Sequence, residues 1–263
     1  MLLFSECAAY CMAELVKRAP APPFTERELQ REVREAFGLF NRTFGTSVQL
    51  PEMKYEASVD GISWQRNSTH EGRTIHCTPQ SSEIGHEVAH IWASCAVEEA
   101  ASKGKFLPVA FALNLVPPLS SEMYIEEGFA DYLACLYAPD SREKILNKLP
   151  QDPTPDAIKK EAMRFLEAYP IPSDVKKEML SREFGPEDAK RVVESANFIT
   201  AIAKDLLSIH EKYGPAKALE VFLGMDEMTA TRQSPLVWKA YLASHGIESC
   251  ATKEDIPRYT PKE

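Results

Sequence analysis

Ile84-Gly85-His86-Glu87-Val88-Ala89-His90-Ile91-Trp92 places a His-Glu-x-x-His pattern inside a run with helical periodicity. On a helix, residues four apart stand one turn above each other. His86 and His90 then project the same way and can offer two imidazole nitrogens to one tetrahedral Zn²⁺. Glu87 lies beside them, close enough to hold and deprotonate a water on the metal. Thr78-Pro79 looks like an N-cap with Pro at the first helical position, and the helix is predicted to run to about Ser102. Ile84, Val88, Trp92 and Cys95 form its core-facing stripe. His86, His90, Ala93 and Val97 form a second face, where small neighbours leave room at a metal.

A catalytic zinc usually takes three protein ligands and keeps its fourth position for water. The candidate third ligand comes from Tyr124-Ile125-Glu126-Glu127-Gly128-Phe129-Ala130-Asp131-Tyr132. Glu127 and Asp131 are again four apart, so they share a helical face. Glu127 can reach the metal while Asp131 accepts the spare ring N–H of a ligating His and fixes its tautomer. Structural zinc sites are usually closed by four ligands and rich in Cys. This set supplies three ligands and a spare carboxylate at Glu87, which suits an open site.

These two segments resemble the gluzincin metallopeptidases, the clan that includes thermolysin and the zinc aminopeptidases. The aminopeptidases carry a Trp-Leu-Asn-Glu-Gly-Phe-Ala-like segment, which Tyr124-Ile125-Glu126-Glu127-Gly128-Phe129-Ala130 echoes position by position. The resemblance implies that Glu127 is the ligand, Asp131 its neighbour's hydrogen-bond partner, and Trp92 the aromatic that follows the second His. Glu126, at the Asn position, reads as a cleft-facing acid that would meet a substrate amine. The likeness covers residues 81–137. Between His90 and Glu127 lie 36 residues, more than the aminopeptidases carry, and the excess over 103–121 is expected to loop out or roof the cleft. No Gly-Ala-Met-Glu-Asn-like amine-binding motif is present.

Composition narrows the remaining classes. Hydrophobic residues make up 44% and charged residues 26% of 263, ordinary for a globular chain long enough to fold without staples. A net charge of −9 and a pI near 5.3 argue against nucleic acid as a partner, which needs a basic face. The longest apolar stretch, residues 106–119, is too short for a membrane span and contains three prolines. The first six residues lack a basic n-region, so no secretory signal is expected. Cys7, Cys11, Cys77, Cys95, Cys135 and Cys250 read as reduced thiols of a cytoplasmic protein. Asn41-Arg-Thr43 and Asn67-Ser-Thr69 fit the glycosylation pattern, which carries meaning only with secretion.

Taken in order, residues 4–18 are predicted as a helix and 19–23 as a stiff proline linker. Thr25-Glu-Arg-Glu28 is a capping box. It opens a helix with a stripe of Leu29, Val33, Phe37 and Phe40 and an exit at Gly45. From Val48 to Cys77 the period shifts toward two, with turn signals at Asp60-Gly61 and Glu71-Gly72. A small, mostly antiparallel sheet is predicted there, with a hairpin centred on 70–73. In zincin folds an edge strand of such a sheet binds peptide by main-chain pairing, and residues 58–67 are the candidate. Residues 140–185 read as helical fragments broken by prolines. A long helix from Pro186 to Lys212, a break at Tyr213-Gly214-Pro215, a helix over 216–223 and a last one over 235–245 complete the chain. The fold class is thus α+β, zincin-like by resemblance and predominantly helical. Its segments are 1–45 (N-terminal helical), 46–140 (catalytic core) and 141–263 (helical, packed on the core).

The function expected is a zinc-dependent metallopeptidase acting on peptide or protein substrates. Glu87 takes a proton from the attacking water and passes it to the leaving amine. The oxyanion needs a further donor, and the resemblance implies a Tyr or His from a later helix. Asn197, Phe198 and Ile199 stand where a Tyr would be sought. His210, Tyr213, Tyr241 and His245 remain candidates, with His210 preferred. His70 and His76 read as hairpin-surface and strand residues. Two other functions use the same residues: a zinc-bound module that is catalytically idle or latent and acts through partners, and a hydrolase of a non-peptide amide.

Overall fold

The computed structural model describes residues 25–57, 63–66, 73–77, 81–102, 123–147, 154, 186–228 and 235–250. The expected helix over 4–18, the linker at 19–23, the Thr78-Pro79 start and the 103–121 insert lie outside these residues. So do the prolines from 150 to 172. Among the described residues the chain is predominantly helical. None of these helices is long and apolar enough to cross a membrane.

Helix α1 (Glu26–Phe44) starts where the capping box sets it. The Glu28 N–H donates to Thr25 Oγ1 at 3.2 Å, and the Thr25 N–H donates to Glu28 Oε2 at 2.9 Å. Two donors that the helix cannot satisfy internally are thereby paired. Gly45 ends it at φ 63°, a left-handed conformation that costs glycine little. Leu29, Val33, Ala36, Phe37 and Phe40 are the buried stripe.

Three short strands follow: β1 (Met53–Ala57), β2 (Ser63–Arg66) and β3 (Arg73–Cys77). Their order is β1-β3-β2, with β3 in the middle. The β2–β3 pair is antiparallel, as a hairpin requires, and Arg66 faces Arg73. The β1–β3 pair is parallel, with Met53 opposite Arg73 and Ala57 opposite Cys77. The sheet is therefore mixed and not mostly antiparallel as expected. The reason is topological: the hairpin returns between its own first strand and β1, and a strand antiparallel to β2 then runs with β1. Of the candidate edge 58–67, the described part, Ser63–Arg66, is an edge strand among the described residues.

Helix α2 (Ser81–Ser102) is the centre of the molecule. Every residue from Ile84 to Ala93 is buried, so the two-face reading understates its enclosure. It packs on α1 and on α3 (Met123–Tyr137). Trp92 stacks on Phe44 with centroids 5.0 Å apart, and Phe129 of α3 stacks on Phe222 at 3.8 Å. The Trp92 indole donates to Asn41 Oδ1 at 3.0 Å, and the Asn41 amide donates to the Val48 carbonyl at 2.9 Å. Asn41 is thus a packing residue that ties α1 to α2 and the chain beyond.

After a 3₁₀ turn at Pro139–Ser141 and short α4 (Arg142–Leu146), α5 (Pro186–Tyr213) lies along α3. Gly214, at φ 90°, separates it from α6 (Pro215–Met228), and α7 (Pro235–Ser244) ends the described helices. Asp205 of α5 is buried and accepts from Trp238 Nε1 at 2.8 Å, Ser249 Oγ at 2.7 Å and the Cys250 N–H at 2.6 Å. These bonds compensate a carboxylate held away from water and fasten α7 and residues 249–250 to α5. Residues of all three sequence segments, from Leu29 to Ile247, join one hydrophobic cluster.

Two glycines set how closely the helices approach. A Cβ on Gly85 would lie 3.0 Å from Tyr137 Cδ1, and one on Gly128 would lie 2.6 Å from Ile202 Cβ. The second clash is with an inflexible branch point and with the Ile199 carbonyl at 3.0 Å. Gly128→Ala is expected to cost about 1–3 kcal/mol by overpacking. Chemical denaturation should show this, with the Gly85 variant less affected.

Candidate metal centre

The antiparallel approach of α2 and α3 brings the two sequence motifs face to face. Asp131 meets His86; four residues on along α2, His90 meets Glu126 and Glu127. His86 Nε2 lies 3.2 Å from His90 Nε2 and 3.2 Å from Glu127 Oε2. His90 Nε2 lies 3.6 Å from Glu127 Oε1. Taking one ligand atom from each residue, all three atoms lie within 4.8 Å of one another. The shorter set uses both carboxylate oxygens, so a rotation of the Glu127 carboxylate chooses between two-oxygen and one-oxygen contact. A tetrahedral ion with bonds of about 2.0–2.1 Å separates its ligand atoms by roughly 3.3–3.4 Å. His86, His90 and Glu127 are buried and close enough to bind one metal ion.

The outer ring nitrogens show which lone pairs face inward. His86 Nδ1–H donates to Asp131 Oδ1 at 2.8 Å, and His90 Nδ1–H donates to Glu126 Oε1 at 3.1 Å. With Nδ1 carrying the proton of a neutral ring, each Nε2 is an acceptor. Two lone pairs and a carboxylate then converge, and this set of donors fits a cation.

Compared with protein-family models, curated proteins and solved structures, the chain matches none. The centre's chemistry therefore rests on its own residues. Burial disfavours the charged form of His90, but the Glu127 charge and the Glu126 bond outweigh it and raise the pKa above the ordinary value. Burial alone would raise Glu127; the adjacent His90 and His86 instead hold its carboxyl below the usual range. Protons and a metal compete for His90. Because that pKa is raised, the affinity for a divalent ion is expected to climb with pH for as long as His90 is losing its proton, by at most about tenfold per unit. Glu127 is already ionised there and adds no slope. Competition titrations at several pH values measure this; a flat profile from pH 6 to 7 would refute it.

Glu87, between the two histidines in sequence, is 8% exposed. His210, the preferred oxyanion donor, has Nδ1 2.8 Å from the Tyr132 hydroxyl and is not a member of the metal-holding group. Burial lowers the His210 pKa and raises that of Tyr132. Phe198 and Ile199 are buried, with Phe198 against Tyr124. Tyr241 donates to the Val221 carbonyl at 3.0 Å, and His245 Nδ1 lies 3.0 Å from the Tyr241 carbonyl. Tyr213 is exposed.

Glu126 is the residue that sequence reasoning placed only in part. Its Oε1 accepts from His90 Nδ1 while the side chain stays 27% exposed, so it backs His90 in addition to the cleft-facing place read from the sequence. A signal for this existed: once Asp131 is paired with His86, an antiparallel step of four residues along α2 leads to 126 or 127 on α3.

Proposed function

We propose that the chain is a zinc-dependent hydrolase of peptide bonds, a metallopeptidase of gluzincin type. The observation that carries this reading is the convergence of His86 Nε2, His90 Nε2 and a Glu127 oxygen, with buried Glu87 on the same helix. Zinc held by these three residues would supply Lewis acidity, bringing a water's pKa toward neutrality and polarising a carbonyl. Asp131 and Glu126 keep the imidazole protons on Nδ1. Glu87 takes the proton of the attacking water as the carbon–oxygen bond forms. It returns that proton to the departing amine nitrogen as the carbon–nitrogen bond breaks.

The purified chain should contain one zinc and cleave members of a mixed peptide library. A chelator should stop cleavage and added zinc restore it. Full cleavage by the chelated protein would sink the proposal. The enclosure of all the ligand residues favours a second reading, a latent zinc protein. Zinc without cleavage, followed by cleavage once residues 103–121 are trimmed, would favour that reading.

A further inference from the structure

The two histidines of the centre are held unequally. His86 is backed by Asp131, whose side chain is 1% exposed. His90 is backed by Glu126, whose side chain is 27% exposed. Both partners are acidic side chains, one Asp and one Glu. A neutral amide at either place could accept the same Nδ1–H, so geometry alone does not require a charge. A carboxylate adds electron density to the ring it accepts from and makes Nε2 a stronger donor to a cation. It also places a second outer negative charge, after Asp131, beside a site that already contains Glu127. The Coulomb attraction for a divalent ion grows accordingly.

Folding stability is a weak reason for the bond: His90 is buried, but Glu126 is part-exposed, so water screens the pair and its contribution to folding is modest. Metal binding gives it a purpose. The imidazole must present Nε2 within a few tenths of an ångström of its place, and a partner at Nδ1 fixes both tautomer and ring orientation.

We propose that Glu126 is a positioning residue for His90, and that its charge sets how tightly the centre holds a divalent cation. Solvent reaches Glu126 and not Asp131, so the His90 arm is the more easily released of the two. This inference rests on the metal-centre reading above and goes beyond it. It assigns the affinity of the site to a residue that touches no metal.

The test is the equilibrium zinc affinity of the full chain, measured against a chromophoric chelator, for wild type, Glu126→Gln and Glu126→Ala. Glu126→Ala should bind zinc about 10–100-fold more weakly. Glu126→Gln keeps an acceptor without the charge and should fall between. The gap between wild type and Glu126→Gln should narrow with added salt, because the charge is part-exposed. Melting of the metal-free proteins should be nearly the same in all three. A purely structural role would shift that melting and leave the affinity alone. Affinity within about twofold of wild type for Glu126→Ala would overturn the proposal. A Glu126→Gln equal to wild type beside a weak Glu126→Ala would overturn the part played by charge. Absence of zinc binding in wild type, unchanged by His86→Ala, would overturn the centre itself and this proposal with it.

Discussion

Glu87→Gln is expected to keep its zinc and lose hydrolysis by roughly 10²–10⁴-fold. The amide has nearly the shape of the carboxylate and cannot take a proton from water. Glu87 does not belong to the group that would hold the ion, so removing its charge leaves His86, His90 and Glu127 in place. The side chain is buried, and a neutral amide costs less to bury than a carboxylate. The fold should therefore survive, and any change in melting should be small beside the loss of rate. Metal analysis of the purified variant and kcat/KM on the best library peptide measure the two quantities separately. Cleavage within about tenfold of wild type would remove Glu87 as the base. Loss of zinc along with activity would instead assign Glu87 to holding the ion.

Much of this centre could be read before any coordinates because it is written in local spacing. Helical geometry alone makes His86 and His90 neighbours, and their Nε2 atoms do meet at 3.2 Å. The same geometry places Asp131 one turn beyond Glu127, where it takes the His86 Nδ1–H. The start and end of α1 were equally legible, because a capping box and a left-handed glycine act within a few residues. What escaped depends on contacts between distant segments. Period-two patterning marks strands without saying which strand lies between the others, so the parallel β1–β3 pair went unforeseen. Gly85 and Gly128 look like interruptions in helical runs until Tyr137 and Ile202 are seen against them. Asp205 shows no sequence sign of collecting Trp238, Ser249 and Cys250. Glu126 lay between: its role follows from helix–helix register, which needs one tertiary pairing as a starting point.

Removing Glu127 tests the centre as a thermodynamic object. An ion that binds only the folded chain stabilises it by about 4 kcal/mol when present at 1,000 times its dissociation constant. For a chain of this size each kcal/mol moves the melting temperature by about 2–4 °C. Zinc should therefore raise the melting temperature of wild type by on the order of 10 °C. Glu127→Ala should respond to the same zinc by only a degree or two, since two imidazoles remain without their anionic partner. The pH dependence has a definite sign. Without metal, the raised pKa of His90 means that its attraction to Glu127 and its bond to Glu126 stabilise the fold most below the unfolded value. That contribution fades as pH rises through the folded value. Zinc needs His90 unprotonated, so its contribution grows over the same interval. The melting gap between zinc-loaded and metal-free wild type should accordingly widen from mildly acidic to neutral pH. In Glu127→Ala it should stay within a degree or two at every pH. Equal zinc shifts in the two proteins would mean that the ion binds elsewhere, and that the meeting of His86, His90 and Glu127 is packing without a metal.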